Sequence, residues 1–281
     1  MPIYDQGYRR YVARSPLQRA RFWPITREPL RMLLLKRLFL ALLLSSLAPL
    51  VVSALWIYIV TRYPESGRLL PIDGQLFGEM LKYQMLFGIL LSVFGASGSI
   101  ANDLRSGAML VYLSRPLTKR DYLLGKLGVP LLLNLAVMLV PGLLLYLAGL
   151  GLAPEQYLRW HLAWIAPSIV AYSVAAGLAI SLLTLAVSSL SRSARVAGIG
   201  LVAALVGLEM TRLILQYGFD RKEAVVVSLW ADLKALGVAL FAVPDPQIEI
   251  SWVWPLLVLA LVSVGCLLVL RARVRAVEIV T

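Results

Sequence analysis

Residues 224–243 read AVVVSLWADLKALGVALFAV. Twenty mostly apolar residues suffice for a helix across the roughly 30 Å hydrocarbon core of a bilayer. Asp232 and Lys234, however, stand near the middle of this stretch, and a charged side chain at the bilayer centre costs about 3 kcal/mol or more. The fold turns on how the stretch is counted. As a span it makes seven crossings and puts the two chain ends on opposite sides. As a re-entrant or interfacial helical pair, entering and leaving from the outer face, it leaves six crossings with both ends on one side. Pro244 and Pro246, just after it, suit such a break, and we read the segment as re-entrant.

Working outward, six other stretches are long and apolar enough to cross: 38–60, 80–101, 127–150, 162–187, 196–215 and 252–270. Charge orients them. With the N-terminus cytoplasmic, the inner segments 1–37, 102–126, 188–195 and 271–281 carry nine, five, two and three Lys/Arg, 19 of the 27. The positive-inside rule favours this arrangement and places both termini in the cytoplasm. A seven-span chain would instead put Arg271, Arg273 and Arg275 outside.

Composition excludes most other classes. Hydrophobic residues make up 60% and charged ones 15%, against about 45–50% and about 25% in a soluble domain. A soluble enzyme, a disordered chain and a disulfide scaffold are all ruled out, the last by the single cysteine, Cys266. The net charge of +12 is read as loop retention, not nucleic-acid binding. The expectation is one all-α, polytopic membrane domain over residues 1–281, with six transmembrane helices.

Segment 1–37 mixes Arg9, Arg10, Arg14, Arg19 and Arg21 with Tyr8, Tyr11, Leu17, Phe22 and Trp23. That pattern suits an interfacial helix with arginines at lipid phosphates. Thr26 is read as an N-cap, with Glu28 in the first turn of a helix running into the first span. Small residues mark the packing faces. Gly88, Ser92 and Ala96 recur every fourth residue in the second span, and Ser173, Gly177 and Ser181 do so in the fourth. Ala197, Gly200, Ala204 and Gly207 line one face of the fifth, toward helices of this chain or of a second copy.

The same spans carry few residues suited to catalysis. Gly95-Ala96-Ser97-Gly98 fits the GxSG pattern of intramembrane serine proteases, but a serine nucleophile needs a base. The only histidine, His161, falls at the opposite end of its span. We read the motif as packing. One histidine leaves no multi-histidine metal site, and neither HExxH nor a phosphate loop is present. Glu209 and Arg212, three apart on the fifth span, share a helix face. They are either part of a translocation path or a structural ion pair.

The most informative segment is the inner loop, residues 101–127, ANDLRSGAMLVYLSRPLTKRDYLLGKL. Asp103 to Tyr112 can form a short helix, Ser114-Arg115-Pro116 breaks it, and Thr118 caps a new helix leading to the third span. A short rigid helix between two spans is what a push from a cytoplasmic partner requires.

This loop resembles that of permease subunits of ABC type-2 transporters. The family order is an acidic residue, a Gly-Thr, a leucine-rich stretch, Ser-x-Pro and a basic Tyr-Leu-x-Gly-Lys run. Asp103, Gly107, Leu110, Leu113, Ser114, Pro116, Arg120, Tyr122, Leu123, Gly125 and Lys126 follow that order, with Ala108 in place of the threonine. Ile25-Thr26-Arg27-Glu28 also looks like the family's opening. The resemblance implies a coupling helix over 103–113 that docks on a separate ATPase. Asp103, Leu104, Arg105, Gly107, Met109, Leu110, Leu113, Arg115 and Pro116 would be the coupling residues. It further implies ATP and magnesium on that partner and none bound by this chain. Two permeases, identical or different, would pair with two ATPases in a prokaryotic plasma (inner) membrane, with lipids around them and room for an accessory subunit. The second and fifth spans would face the pathway, and 224–243 would close its outer gate. A secondary transporter is the competing reading; scarce intramembrane charge and the lack of duplicated halves speak against it.

Overall fold

The computed structural model describes residues 22–63, 72–108, 118–152, 163–219, 222–243 and 251–275. Among these, every regular element is a helix, and six helices are long and apolar enough to cross a membrane. The basic run 1–21 and His161 lie outside the described residues.

Helix α1 (Trp23–Leu34) carries Pro24 in its first turn, which its fixed φ suits. Thr26 is therefore not its N-cap. It sits inside the helix, buried, and its hydroxyl donates to the Gly125 carbonyl at 2.8 Å. Nor does α1 run into the first span, because Lys36 is extended (ψ 120°) and separates it from α2 (Arg37–Ser45). The first span is α2 and α3 (Ala48–Arg62) together, divided by a turn at Ser46–Leu47 ahead of Pro49.

The second span is α4 (Gly74–Gly95). It begins six residues earlier than hydropathy alone suggests, because Asp73 caps it by accepting from the Gln75 amide at 2.8 Å. The third is α6 (Lys119–Leu152), preceded by the short α5 (Ala101–Ser106). Thr118 and Asp121 form a reciprocal cap at the start of α6: each backbone N–H donates to the other's side-chain oxygen, at 3.1 and 3.2 Å. Thirty-four residues make α6 about 50 Å long, so it extends beyond the hydrocarbon core. The fourth, fifth and sixth spans are α7 (Ile165–Leu190), α8 (Ala194–Leu213, continued by a π turn to Gly218) and α10 (Val253–Arg275).

Between the fifth and sixth spans lie a 3-10 turn, Lys222–Val227, and α9 (Leu229–Leu240). At 12 residues α9 is too short to cross, and it is not among the six. It packs by Leu233 and Leu236 into a core with Phe77, Met80, Tyr172 and Ile169. Phe241, just after it, meets the Tyr172 ring at 6.1 Å.

Helix α7 is the central post: 67% of its apolar stretch is buried, against 11% for α8. Its stripe Ser173, Gly177 and Ser181 is buried, as the four-residue spacing requires. Facing it, α4 presents Gly88 and Ser92, and Asn134 of α6 sits between the two. Asn134 donates to Ser92 Oγ at 2.9 Å and to the Pro130 carbonyl at 2.8 Å. Gly88 lets the two helices approach there, since a Cβ would crowd Asn134 Oδ1. Ala96 is likewise fully buried. The fifth-span stripe is divided. Ala197 is buried, a Cβ at Gly200 would only touch Val187, and Gly207 faces open space. Ser97 donates to the Val93 carbonyl at 2.5 Å, and a Cβ on Gly98 would collide with Ala194. The GxSG segment therefore seats the start of α8 against the end of α4.

Candidate functional site

Two polar constellations stand out, one at each end of the bundle. The inner one is built on α5. The chain leaves α4 through a turn, and the amides of Ile100 and Ala101 both donate to Ser188 Oγ of α7 at 3.1 Å. These are donors at a helix start that the helix itself leaves unsatisfied. Asp103, one turn on, is accepted into a second tie. Its carboxylate lies 2.6 Å from Lys126 Nζ and accepts from Tyr122 Oη at 2.9 Å. Lys126 also donates to the Ser99 carbonyl at 3.0 Å. Tyr122 is fully buried and the Lys126 side chain only 6% exposed. Asp103 is thus engaged within the chain, and α5 has no capping side chain at its own N-cap residue, Ile100.

Gly107 ends α5 with φ +66°, the left-handed conformation typical of a helix C-cap. A Cβ there would meet nothing within 4 Å, so its backbone, not crowding inside this chain, calls for glycine. Leu104 packs on Ile100 and Leu185, while Arg105 is exposed. Met109, Leu110, Leu113, Arg115 and Pro116 lie outside the described residues. Beside α5 opens a hollow of about 570 Å³ whose lining includes Arg105, Arg192 and Arg273.

The Tyr122–Lys126 run thereby acquires a physical meaning. Tyr122 and Lys126 hold α5, while Gly125 and Gly128 admit α1: a Cβ on either would collide with Ile25 or Thr26 at 2.6 Å. Two turns of α6 therefore fix both the N-terminal helix and the loop helix.

The outer constellation centres on Glu209. Its Oε1 accepts from Arg212 Nη2 at 2.6 Å and Nε at 3.1 Å, and its Oε2 accepts from Ser228 Oγ at 2.5 Å. Arg212 also bonds Gln216. The pair anticipated from spacing is real, and the Ser228 bond to Glu209 ties α8 to the segment leading into α9. Sequence spacing could not reveal that Lys82 of α4 and Lys234 of α9 join it around a cavity of about 230 Å³. These residues come from three elements far apart in the chain. Lys82 is paired with Glu79. Asp232, two residues before Lys234, is buried away from the cavity, and its Oδ1 has no hydrogen-bond partner.

The family model for ABC-2 family transporter proteins matches residues 82–228, just over half of the chain. The chain belongs to the ABC-2 transporter family. The match runs from Lys82 through Ser228 and so takes in the α5 junction together with most of the Glu209 constellation. No curated protein matches this ABC-2 permease. Its six apolar helices fit a multi-pass membrane transport component, distinct from the ATPase with which permeases of this family typically pair.

Proposed function

We propose that this chain is the membrane subunit of an ATP-driven exporter, worked by a separate ATPase that docks on α5 and the following loop. The observation that carries the reading is the double anchoring of α5, to α7 through Ser188 and to α6 through Asp103 and Lys126. A helix of six residues has little stability of its own. Anchored to two spans at once, it passes a push on its exposed side to both.

Arg105 and Gly107 present the accessible side of α5, with Leu104 turned to the core. Met109, Leu110, Leu113, Arg115 and Pro116 continue the docking segment. The arginine-lined hollow beside α5 suits acidic groups on the partner. ATP and magnesium belong to the ATPase, and this chain does no bond chemistry. Helix α8, the least covered span, supplies Gly200, Ala204 and Gly207 to a second permease copy, identical or different. In this reading Glu209 and Arg212 lie on the translocation path at its outer end, beside the gate formed by 224–243. The assembly resides in a prokaryotic plasma membrane, among lipids and with any accessory subunit.

The test is co-purification with the ATPase and transport per ATP hydrolysed in reconstituted vesicles. Arg105→Glu should abolish association by repelling the acidic partner surface while the spans still insert. Transport that persists without any ATPase, driven by an ion gradient, would replace this reading with a secondary transporter.

A further inference from the structure

We propose that the hollow between α5, the α7–α8 turn and α10 seats the headgroup of an anionic phospholipid, held chiefly by Arg192 and Arg273. The binding does not rest on the exporter reading, which brings acidic groups of the ATPase to Arg105.

Three elements far apart in the chain bring one arginine each to the lining. Arg105 comes from α5, Arg192 from the turn between α7 and α8, and Arg273 from the last turn of α10. No acidic residue joins them among the described lining. The nearest carboxylate along the chain, Asp103, is already committed to Lys126 and Tyr122. Among the described residues neither Arg105 nor Arg192 has a hydrogen-bond or ion-pair partner. Three guanidinium groups repel one another, and an anion between them relieves that repulsion.

Arg273 is set in place before any ligand arrives. Its Nε donates to the Ser189 carbonyl at 3.1 Å, near the end of α7. The last carbonyls of a helix lack partners within it, and a cation there also meets the negative end of the helix dipole. Four N–H groups of this guanidinium remain for a ligand, in a planar arrangement that matches phosphate oxygens.

Position and shape favour lipid over a dissolved anion. The fourth span ends at Leu190, and the apolar stretch of the sixth ends at Arg273. Arg192 and Arg273 therefore stand where hydrocarbon gives way to headgroups. Leu104 and Leu190 line the same hollow, and Leu190 is 58% exposed. An acylated glycerol can cover that leucine, whereas inorganic phosphate leaves it bare. About 570 Å³ falls within the roughly 300–1,000 Å³ of sites that take a drug-sized molecule, so a whole headgroup fits.

The experiment titrates the full chain in detergent with phosphatidylglycerol or phosphatidylcholine of the same acyl chains, counting bound lipids by native mass spectrometry. One phosphatidylglycerol should be held more tightly than any phosphatidylcholine, and inorganic phosphate at matched ionic strength should not replace it. Arg192→Gln breaks no contact within the chain and should weaken that lipid about fivefold, the share of one surface charge. Adding Arg273→Gln should weaken it about fivefold again. Arg192→Lys keeps the charge without the planar fork and should lose less. Arg195→Gln, exposed at the same end but outside the lining, should leave the lipid in place. Equal retention of the two lipids, wild-type affinity in the double variant, or the same loss in Arg195→Gln overturns the proposal. So does displacement by inorganic phosphate, which would make the ligand a free anion. Displacement by the ATPase would assign the hollow to that partner's acidic groups and overturn it as well.

Discussion

Lys126 of α6 lies 2.6 Å from Asp103 of α5, and this ion pair joins the inner end of the second span to the base of the third. Neither charge has much access to water, with side-chain exposures of 6% and 15%. Removing one partner therefore leaves the other charge stranded, a loss of about 3 kcal/mol. Lys126→Met and Asp103→Asn should each lower the unfolding temperature clearly. The double variant should recover much of that loss, because no charge is then left buried. Tyr122→Phe, which removes the hydrogen bond to Asp103 and leaves both charges in place, should cost about 1 kcal/mol. Thermal unfolding of the four variants decides it. Strictly additive losses for the two charge variants would mean that they act independently.

The residues of this junction were legible in the sequence, but their partners were not. Asp103, Tyr122, Gly125 and Lys126 stood out through the family-like order of the inner loop. What each touches depends on how α1, α5 and α6 meet, which no spacing along one segment encodes. The six spans were legible because about 20 apolar residues in a row have few other uses. The start of α6 was legible as well, through Thr118 as a cap, whereas that of α4 was not, because the capping Asp73 lies well ahead of the apolar run. Thr26 misled through its type. A hydroxyl suited to capping is instead spent on Gly125, since the helix has already begun at Trp23, with Pro24 in its first turn. The Glu209–Arg212 pair was legible from its three-residue spacing, whereas Lys82 and Lys234 reach the same cavity only through tertiary packing.

Gly107 separates backbone from crowding. Its φ of +66° penalises any residue with a Cβ by about 1 kcal/mol, although the space beside it is open. Gly107→Ala should therefore weaken the end of α5, and Gly107→Asn should be milder, since asparagine tolerates this conformation. The ratio of transport to ATP hydrolysis should fall in that order, with membrane insertion unchanged. Equal effects of alanine and asparagine would point to contact with the partner.

Gly88 tests the close approach of α4 and α6. A methyl group at that position would sit 2.4 Å from Asn134 Oδ1, which has no hydrogen-bond partner to hold it there. Gly88→Ala should destabilise by about 1–3 kcal/mol through overpacking. Truncation of the obstacle in Gly88→Ala/Asn134→Ala should relieve part of that loss, even though Asn134→Ala alone forfeits the bond to Ser92. A double variant worse than the sum of its parts would show that the asparagine, not the fit, governs this seam.

The six-span count makes a claim about sides that labelling can check. Gly218 ends the fifth span, Ser251 precedes the sixth, and both are exposed, as is Ser106 at the end of α5. If 222–243 enters and leaves on one side, single cysteines at Gly218 and Ser251 should react with an impermeant maleimide from the outside, and one at Ser106 only from the cytoplasm. Cys266, although buried, should first be replaced by serine to clear the background. The decisive comparison is Gly218 with Ser251. They flank the stretch carrying Asp232 and Lys234, so labelling from opposite faces would make that stretch a seventh span and carry Arg271 and Arg273 to the outside, against the charge rule that orients the other five inner and outer segments.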